Sequence, residues 1–179
     1  MRQTNMITLN LVAIDPELID AWEVAFKPFP EVRIMAADIL AVASNTIVSP
    51  ANSYGYMDGG LDRLLTDFFG LRPQQEVQAA IARRPEGYLP VGSAVLVNTG
   101  HARIPYMISA PTMFLPEPIP AANVFFAMSA MLQTAHAHKD VVKAVYCPGL
   151  GTGTGRVAPD IAAREMAHAY AKHITFKAV

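Results

Sequence analysis

Apolar residues along the chain fall into two kinds of pattern, and each predicts its own type of secondary structure. Short continuous runs that are rich in β-branched residues are typical of strands buried on both faces of a sheet. We also expect residues 174–176 to pair at a sheet edge. The continuous runs predict six strands, at residues 6–14, 32–36, 46–49, 93–99, 106–110 and 141–147.

Between these runs, apolar residues recur at helical spacing. Leu18, Trp22 and Phe26 lie on one face of a predicted helix that begins after Asp15. Asp15 can accept a hydrogen bond as the N-cap, and Pro16 suits the first helical position because its missing N–H would be unpaired there. Similar patterns predict further helices at residues 61–69, 73–84, 121–138 and 159–172.

The alternation of strands and helices predicts an α/β fold. Because the strands are continuous apolar runs, we expect a largely buried sheet covered on both faces, which is a three-layer α/β/α sandwich. We expect residues 1–179 to form one domain, with a strand–helix unit at about residues 6–27 at its start.

Composition narrows the classes of function. The 179 residues are 52% hydrophobic with a net charge of −1, which excludes global disorder and argues against a dedicated nucleic-acid binder. A single cysteine excludes a disulfide framework, and the scattered histidines argue against a metal site. No apolar run reaches the roughly 18 residues of a membrane helix. Residues 1–10 do not resemble a signal peptide, so we expect a cytoplasmic protein.

Two glycine-rich loops are the candidate binding elements. Residues 50–60 and 148–155 each lead from a predicted strand into a helix, where backbone N–H groups and a helix N-terminus can hold a phosphate. Alternatively, the glycines only allow tight turns. Neither loop matches the P-loop or the dinucleotide fingerprint. A bound phosphate would therefore be held by amides and not by a lysine.

Four segments resemble the macro domain family. Ala37-Asp38-Ile39-Leu40 is similar to its Gly-Asp-Ile-Thr segment, and Ile47 to Asn52 is similar to its Val-Asn-Ala-Ala-Asn. Gly59-Gly60-Leu61-Asp62 is similar to its Gly-Gly-Val-Asp, ten residues after Asn52 as in the family. Residues 148–155 occupy the place of the second family loop. The resemblance spans about residues 32–172, with departures at Ser49, Pro50 and Arg63.

The resemblance implies a mixed central sheet and a site for ADP-ribose, which some family members release by hydrolysing ADP-ribosyl or acetyl-ADP-ribose bonds. It implies that Asp38 accepts a hydrogen bond from adenine, that Asn52 binds the distal ribose, and that Asp62 activates the attacking water. Asn52 and Asp62 are thus the catalytic candidates. The ligand-binding set implied by the resemblance is Asp38, Ile39, Asn52, Gly59, Gly60, Leu61, Gly149, Leu150, Gly151, Thr152, Gly153 and Thr154.

The expected partner is ADP-ribose or an ADP-ribosylated protein or small molecule, with no cofactor, no metal, no membrane and no specific nucleic acid. Each assigned residue has a plainer alternative. Asp62 can be a first-turn acid favoured by the helix dipole, and Asn52 can stabilise its own loop as an Asx-turn. Asp58 is a rival for the acid role. The whole domain can also be a reader that binds without catalysis, or an unrelated nucleotide-binding domain.

Overall fold

The computed structural model describes residues 7–177, and its centre is a six-stranded mixed sheet. The order across the sheet is β2-β1-β6-β3-β5-β4, and every neighbouring pair is parallel except β4 and β5. This confirms the predicted α/β fold with a mixed sheet. Residue 6, where the predicted first strand begins, lies outside the described residues. The strands are β1 Thr8–Ala13, β2 Arg33–Ala36, β3 Thr46–Ser49, β4 Val95–Asn98, β5 Tyr106–Ser109 and β6 Ala144–Cys147.

Helices connect the strands. The start of α1 is as predicted, because the carboxylate of Asp15 accepts a hydrogen bond from the backbone N–H of Glu17. The single-turn helix α2 is not predicted by the sequence, since four residues are too few to show a helical period. The helices are α1 Pro16–Ala25, α2 Ile39–Val42, α3 Gly60–Phe69, α4 Arg72–Ala82, α5 Ala122–Ala137 and α6 Pro159–Lys177.

The predicted edge pairing of residues 174–176 is wrong, because these residues belong to the last turns of α6. Thr175 donates a side-chain hydrogen bond to the carbonyl of Ala171, one helical turn earlier. Ile174 packs against the main core. The contact of Ile174 with the core therefore favours a helix, although the composition of this short segment alone favours a strand.

The helices form a layer on each face of the sheet. On one face, α1, α5 and α6 enclose a core that includes Leu11, Trp22 and Met128. On the other face, α2, α3 and α4 enclose a second core that includes Val12 and Leu65. Successive residues of β1 enter opposite cores, as expected for a strand covered on both faces.

The parallel strands bring their carboxyl ends to one edge of the sheet. At the opposite edge, Arg103 in the turn between β4 and β5 holds the end of the connection that follows β2. Its guanidinium donates hydrogen bonds to the carbonyls of Leu40 and Ala43 at 2.8 and 2.7 Å. These bonds satisfy carbonyl groups at the end of α2 that a single turn leaves unpaired.

We expect Trp22→Ala to lower the free energy of unfolding by about 3–5 kcal/mol, because it removes a fully buried indole and leaves a cavity between α1 and α6. Urea denaturation measures the change. The matched control is Val24→Ala on the same helix, where the side chain is 78% exposed and the change should be small. Equal losses in the two variants would contradict this account of the core.

Candidate functional site

A cleft of about 470 Å³ lies at the carboxyl edge of the sheet. Its wall is built from the connections that follow five strands, which are β1, β2, β3, β5 and β6. Both glycine-rich loops contribute to it, so the structure brings together the two segments that the sequence singled out. The predicted site residues that line the cleft are Asp38, Ile39, Asn52, Gly59, Gly60, Leu61, Asp62, Gly149, Gly151, Thr152, Gly153 and Thr154.

Asp38 stands at one end of the cleft wall, directly after β2. Its Oδ1 accepts a hydrogen bond from the backbone N–H of Leu40 at 2.9 Å, which caps α2. The cap fixes the carboxylate of this cleft-lining residue and leaves its second oxygen with acceptor capacity. Ile39 is buried beside it and adds an apolar surface. An acceptor next to an apolar wall suits the edge and face of a base.

Asn52 forms the Asx-turn that was the alternative to a ligand role. Its Oδ1 accepts a hydrogen bond from the N–H of Tyr54 at 3.0 Å, and its Nδ2 donates to the carbonyl of Tyr56 at 2.8 Å. The residue also lines the cleft, and Nδ2 carries a second hydrogen. The loop role is therefore observed, and it leaves one donor for a ligand.

Hydrogen bonds to two helices hold the loop of residues 50–60. The residues that make these bonds were not identified from the sequence. Gln74 on α4 accepts a hydrogen bond from the N–H of Met57 at 2.8 Å. Thr66 on α3 donates to the carbonyl of Met57 at 2.7 Å. Because these partners lie 17 and 9 residues away, no local signal in the sequence indicates them. They hold the loop in a fixed shape at the cleft.

The large side chains of this loop either pack against the rest of the protein or line the cleft. Tyr54 packs edge-on against Phe114 with ring centroids 5.1 Å apart, and it also contacts Tyr88. Met57 is buried in the second core. Tyr56 lines the cleft and is half exposed. Of these three side chains, that of Tyr56 is therefore the one placed to contact a ligand.

The glycines at the start of α3 leave open space. A Cβ atom added to Gly59 or Gly60 would meet no atom of the described residues within 4 Å. Gly60 has a φ of +55°, a conformation in which other residues are strained. Packing of the protein therefore does not explain the lack of a side chain at Gly59. Its absence keeps the backbone accessible to whatever occupies the cleft.

In the second loop, packing explains three of the four glycines, and a Cβ at Gly155 would lie 2.7 Å from the carbonyl oxygen of Gly151. A Cβ at Gly149 would lie 2.5 Å from Cδ2 of Leu18, and one at Gly151 would lie 2.9 Å from Cγ2 of Val124. A Cβ at Gly153 would meet nothing in the described structure within 4 Å. Tight packing thus accounts for Gly149, Gly151 and Gly155, whereas Gly153 resembles Gly59 in facing open space.

The expectation that Leu150 binds the ligand needs correction for its side chain. Its side chain is fully buried in the main core, with α1, α5 and α6, and it is not among the described residues that line the cleft. Phe176, an aromatic residue near the end of the chain, does not line the cleft either, since it is 82% exposed on the end of α6. A large apolar side chain inside a glycine-rich loop anchors that loop to the core.

Asp62 lies in the first turn of α3 and lines the cleft, yet it is only 7% exposed. Its Oδ1 accepts a hydrogen bond from the hydroxyl of Ser49 at 2.6 Å. Burial raises the pKa of Asp62 from 3.8 to about 6. The Ser49 hydrogen bond acts in the opposite direction, and the nearby carboxylate of Asp58 raises the pKa further. At neutral pH the group is an ionised carboxylate that readily accepts a proton.

The charges of the cleft are all acidic. Asp15, Asp38, Asp58 and Asp62 line it, and the lining that the structure describes contains no lysine, arginine or histidine. Within residues 7–177, no group of three or more acidic, histidine or cysteine side chains is arranged to hold a metal ion. In the same range, no helix has the length and apolarity to cross a membrane. Because the described lining of the cleft contains no cationic side chain, an anionic ligand would have to be held by backbone amides and hydroxyl groups.

Thr112 is a cleft residue that the sequence analysis missed. It follows β5, and its backbone bonds to Ala51 and Asn123 hold it in place. Its Oγ1 is buried and finds no hydrogen-bond partner within the described part of the chain. A buried hydroxyl without a partner costs about 1–3 kcal/mol, so the wall of the cleft contains one unfavourably buried polar atom.

Comparison with known proteins gives one family. The family model described as Macro domain matches residues 48–166. An uncharacterized protein of Aquifex aeolicus (strain VF5) is 36% identical over 137 residues, which cover 76% of this chain and 78% of that protein. The macrodomain of Mycobacterium tuberculosis DarG superimposes with a TM-score of 0.64 and 18% identity, over 76% of this chain and 87% of that chain. Thermosipho africanus DarTG in complex with ADP-ribose gives a TM-score of 0.60 and 13% identity, over 91% and 50%.

We expect Asp62→Asn to stabilise the fold above about pH 6, by about 2–3 kcal/mol, and to change little below about pH 4. Because the pKa of Asp62 is higher in the folded state than in the unfolded state, ionisation favours unfolding. In the wild type, the free energy of unfolding therefore decreases as the pH rises from about 4 to about 6. The asparagine variant avoids this decrease. Urea denaturation at pH 4 and pH 7.5 measures the difference.

The matched control is Asp20→Asn, which removes an exposed carboxylate from α1. Its effect on the free energy of unfolding should be small at both pH values. A destabilised Asp62→Asn protein at pH 7.5 would contradict the assignment of Asp62 as a buried, strained acid.

Proposed function

The chain belongs to the Macro domain family, and we propose that its cleft binds ADP-ribose. The observation that carries the proposal is the cleft itself, whose volume falls in the range of about 300–1,000 Å³ that is usual for small-molecule sites. It lies at the carboxyl edge of the sheet, where α/β folds bind their ligands. A protein of similar fold, DarTG of Thermosipho africanus, is in complex with ADP-ribose.

The geometry favours one orientation of the ligand. Adenine would lie against Ile39 with its amino group donating to the free oxygen of Asp38. The diphosphate would lie between the two glycine-rich loops, where Gly59 and Gly153 leave the backbone accessible. Amides of these loops and the N-terminus of α3 would hold it, since helix N-termini and turn amides bind phosphate without a lysine.

Opposite adenine, the distal ribose would lie at Asn52 and Asp62, with the spare hydrogen of the Asn52 amide available to a ribose hydroxyl. This placement puts the anomeric carbon beside the buried carboxylate. Tyr56 borders the same end of the cleft. The group attached to the ribose would leave the cleft past this residue.

For binding, we expect isothermal titration to give heat with ADP-ribose and about tenfold weaker binding by Asp38→Asn. Asparagine keeps the N-cap through its Oδ1 but presents an NH₂ group to the amino group of adenine. The control ligand is inosine diphosphate ribose, which has no exocyclic amino group, and the variant should discriminate less between the two ligands. No heat at millimolar ADP-ribose would overturn the binding proposal, and an unchanged preference would overturn the role of Asp38.

We further propose that the domain hydrolyses ADP-ribosyl linkages, either on mono-ADP-ribosylated protein or in O-acetyl-ADP-ribose. Asp62 acts as a general base on a water molecule at the distal ribose. On an ADP-ribosylated protein, the water oxygen forms a bond to the anomeric carbon while the bond from that carbon to the acceptor group breaks. In O-acetyl-ADP-ribose, the water oxygen instead forms a bond to the acetyl carbonyl carbon while the ester bond from that carbon to the ribose oxygen breaks. The proton passes through Asp62 to the leaving group. A pKa of about 6 suits this task, because the base is ionised at pH 7 but still basic.

We expect Asp62→Asn to lower kcat by at least about 100-fold while the affinity for ADP-ribose stays within about twofold. The asparagine keeps the size and the bond from Ser49 but cannot take a proton. Release of ADP-ribose from a mono-ADP-ribosylated protein measures the rate. The wild-type kcat should fall below about pH 6, as Asp62 becomes protonated. A rate that survives the substitution would remove Asp62 from the mechanism.

The second candidate is a reader that binds ADP-ribose without cleaving it. The observation in its favour is the engagement of Asn52 in its own loop, which leaves less of this amide for orienting a reacting ribose. Tight binding without turnover of either class of linkage by the wild-type protein would select this function.

A further inference from the structure

Ser49 is tied to Asp62 across the cleft wall. It is the last residue of β3 and is fully buried, and its hydroxyl donates to Oδ1 of Asp62 at 2.6 Å. Its own backbone is held by the sheet, because its carbonyl accepts a hydrogen bond from the N–H of Ala110. The donor therefore stands on a rigid element, whereas the acceptor stands in the first turn of a helix that follows a long loop.

We propose that Ser49 is the positioning residue of the catalytic carboxylate, holding one oxygen of Asp62 at the sheet so that the other faces the cleft. The proposal rests on the hydrolase function proposed above. It assigns a task to a residue at which the chain departs from the asparagine of the family segment. Ser49 acts through Asp62 and is itself shielded from the ligand.

Little else in the described structure fixes the carboxylate. Gly59, the N-cap of α3, has no side chain to cap the helix, so the first turn has no side-chain cap hydrogen bond. The Ser49 hydroxyl is the side-chain partner that Asp62 has within residues 7–177. A carboxylate held through one oxygen keeps a defined direction for the other, and a water bonded to that second oxygen is held in line with the sugar.

The same bond sets the balance between the two forms of the acid. Burial and the charge of Asp58 both favour the protonated form of Asp62, and the hydroxyl of Ser49 favours the ionised form. Without the hydroxyl, the carboxylate would need a higher pH to ionise. The pH at which catalysis begins would then depend on a residue that the substrate does not contact.

The test compares Ser49→Ala with Ser109→Ala. Ser109 is the matched control because it lies on the neighbouring strand in register with Ser49, is equally buried, and is outside the cleft lining that the structure describes. We measure kcat and KM for ADP-ribose release from pH 5 to 9, the affinity for ADP-ribose, and the pKa of the Asp62 carboxyl by carbon NMR. Ser49→Cys, which keeps a weak donor of similar size, is the second variant if the alanine protein folds poorly.

In Ser49→Ala we expect kcat at pH 7 to fall about tenfold and the acidic limb of the profile to move up by about one pH unit, together with the carboxyl pKa. KM and the affinity for ADP-ribose should stay within about twofold. Ser49→Cys should lie between the alanine variant and the wild type. Ser109→Ala should match the wild type in all four measurements.

A purely structural role for Ser49 gives a different result. If Ser49→Ala weakens ADP-ribose binding as much as it lowers kcat, with an unmoved pH profile, the bond only supports the fold and the proposal is overturned. An unchanged carboxyl pKa and kcat overturn it as well. A wild-type protein that binds ADP-ribose but cleaves no linkage overturns the hydrolase function, whatever the pKa shows, and so separates the two failures.

Discussion

The parallel pairing of β1, β2, β3, β5 and β6 is the constraint on which the site depends. Parallel strands end at the same edge of the sheet, so the five connections that follow them converge there. Each of these connections leads into a helix. The core layers on both faces keep this edge rigid. Convergence of short connections leaves a concave space, and the glycines at Gly59 and Gly153 keep it unfilled. The cleft is therefore a consequence of the topology, and the side chains at it determine only its chemistry.

Asp62 illustrates how that chemistry conflicts with stability. A carboxylate at the first turn of a helix gains from the helix dipole, but its burial against the sheet costs more than this gain, as the raised pKa indicates. The chain therefore has an unfavourably buried acid at a position where we expect an amide to give a larger free energy of unfolding at neutral pH. Buried groups of this kind are concentrated at functional sites, because a general base must be ionised and yet still accept a proton near pH 7. The raised pKa of this buried acid is one of the observations that support the proposed hydrolase function.

Local patterns in the sequence were sufficient for the strands, for the N-cap Asp15 and for the segments that line the cleft, because each is determined by residues close together in the chain. The fastening of Met57 by Gln74 and Thr66 was not predictable, since it depends on how α3 and α4 pack. For the same reason the sequence does not show that the side chain of Leu150 faces the core. An apolar residue in a glycine-rich loop can face the core or the cleft, and only the packing of the α1, α5 and α6 layer decides between them.

The acidic lining of the cleft determines what kind of anion the site can accept. A long polyanion binds through many cationic side chains and released counterions, and the described lining contains none of the former. A compact diphosphate needs only a few donors at short distance, and amides at fixed positions supply them without the entropy cost of ordering lysine side chains. The carboxylates at the two ends then repel phosphate from the places where a base and a ribose belong. Net charge and local acidity thus favour a ligand whose negative charge is central and whose ends are neutral, which is the charge distribution of ADP-ribose.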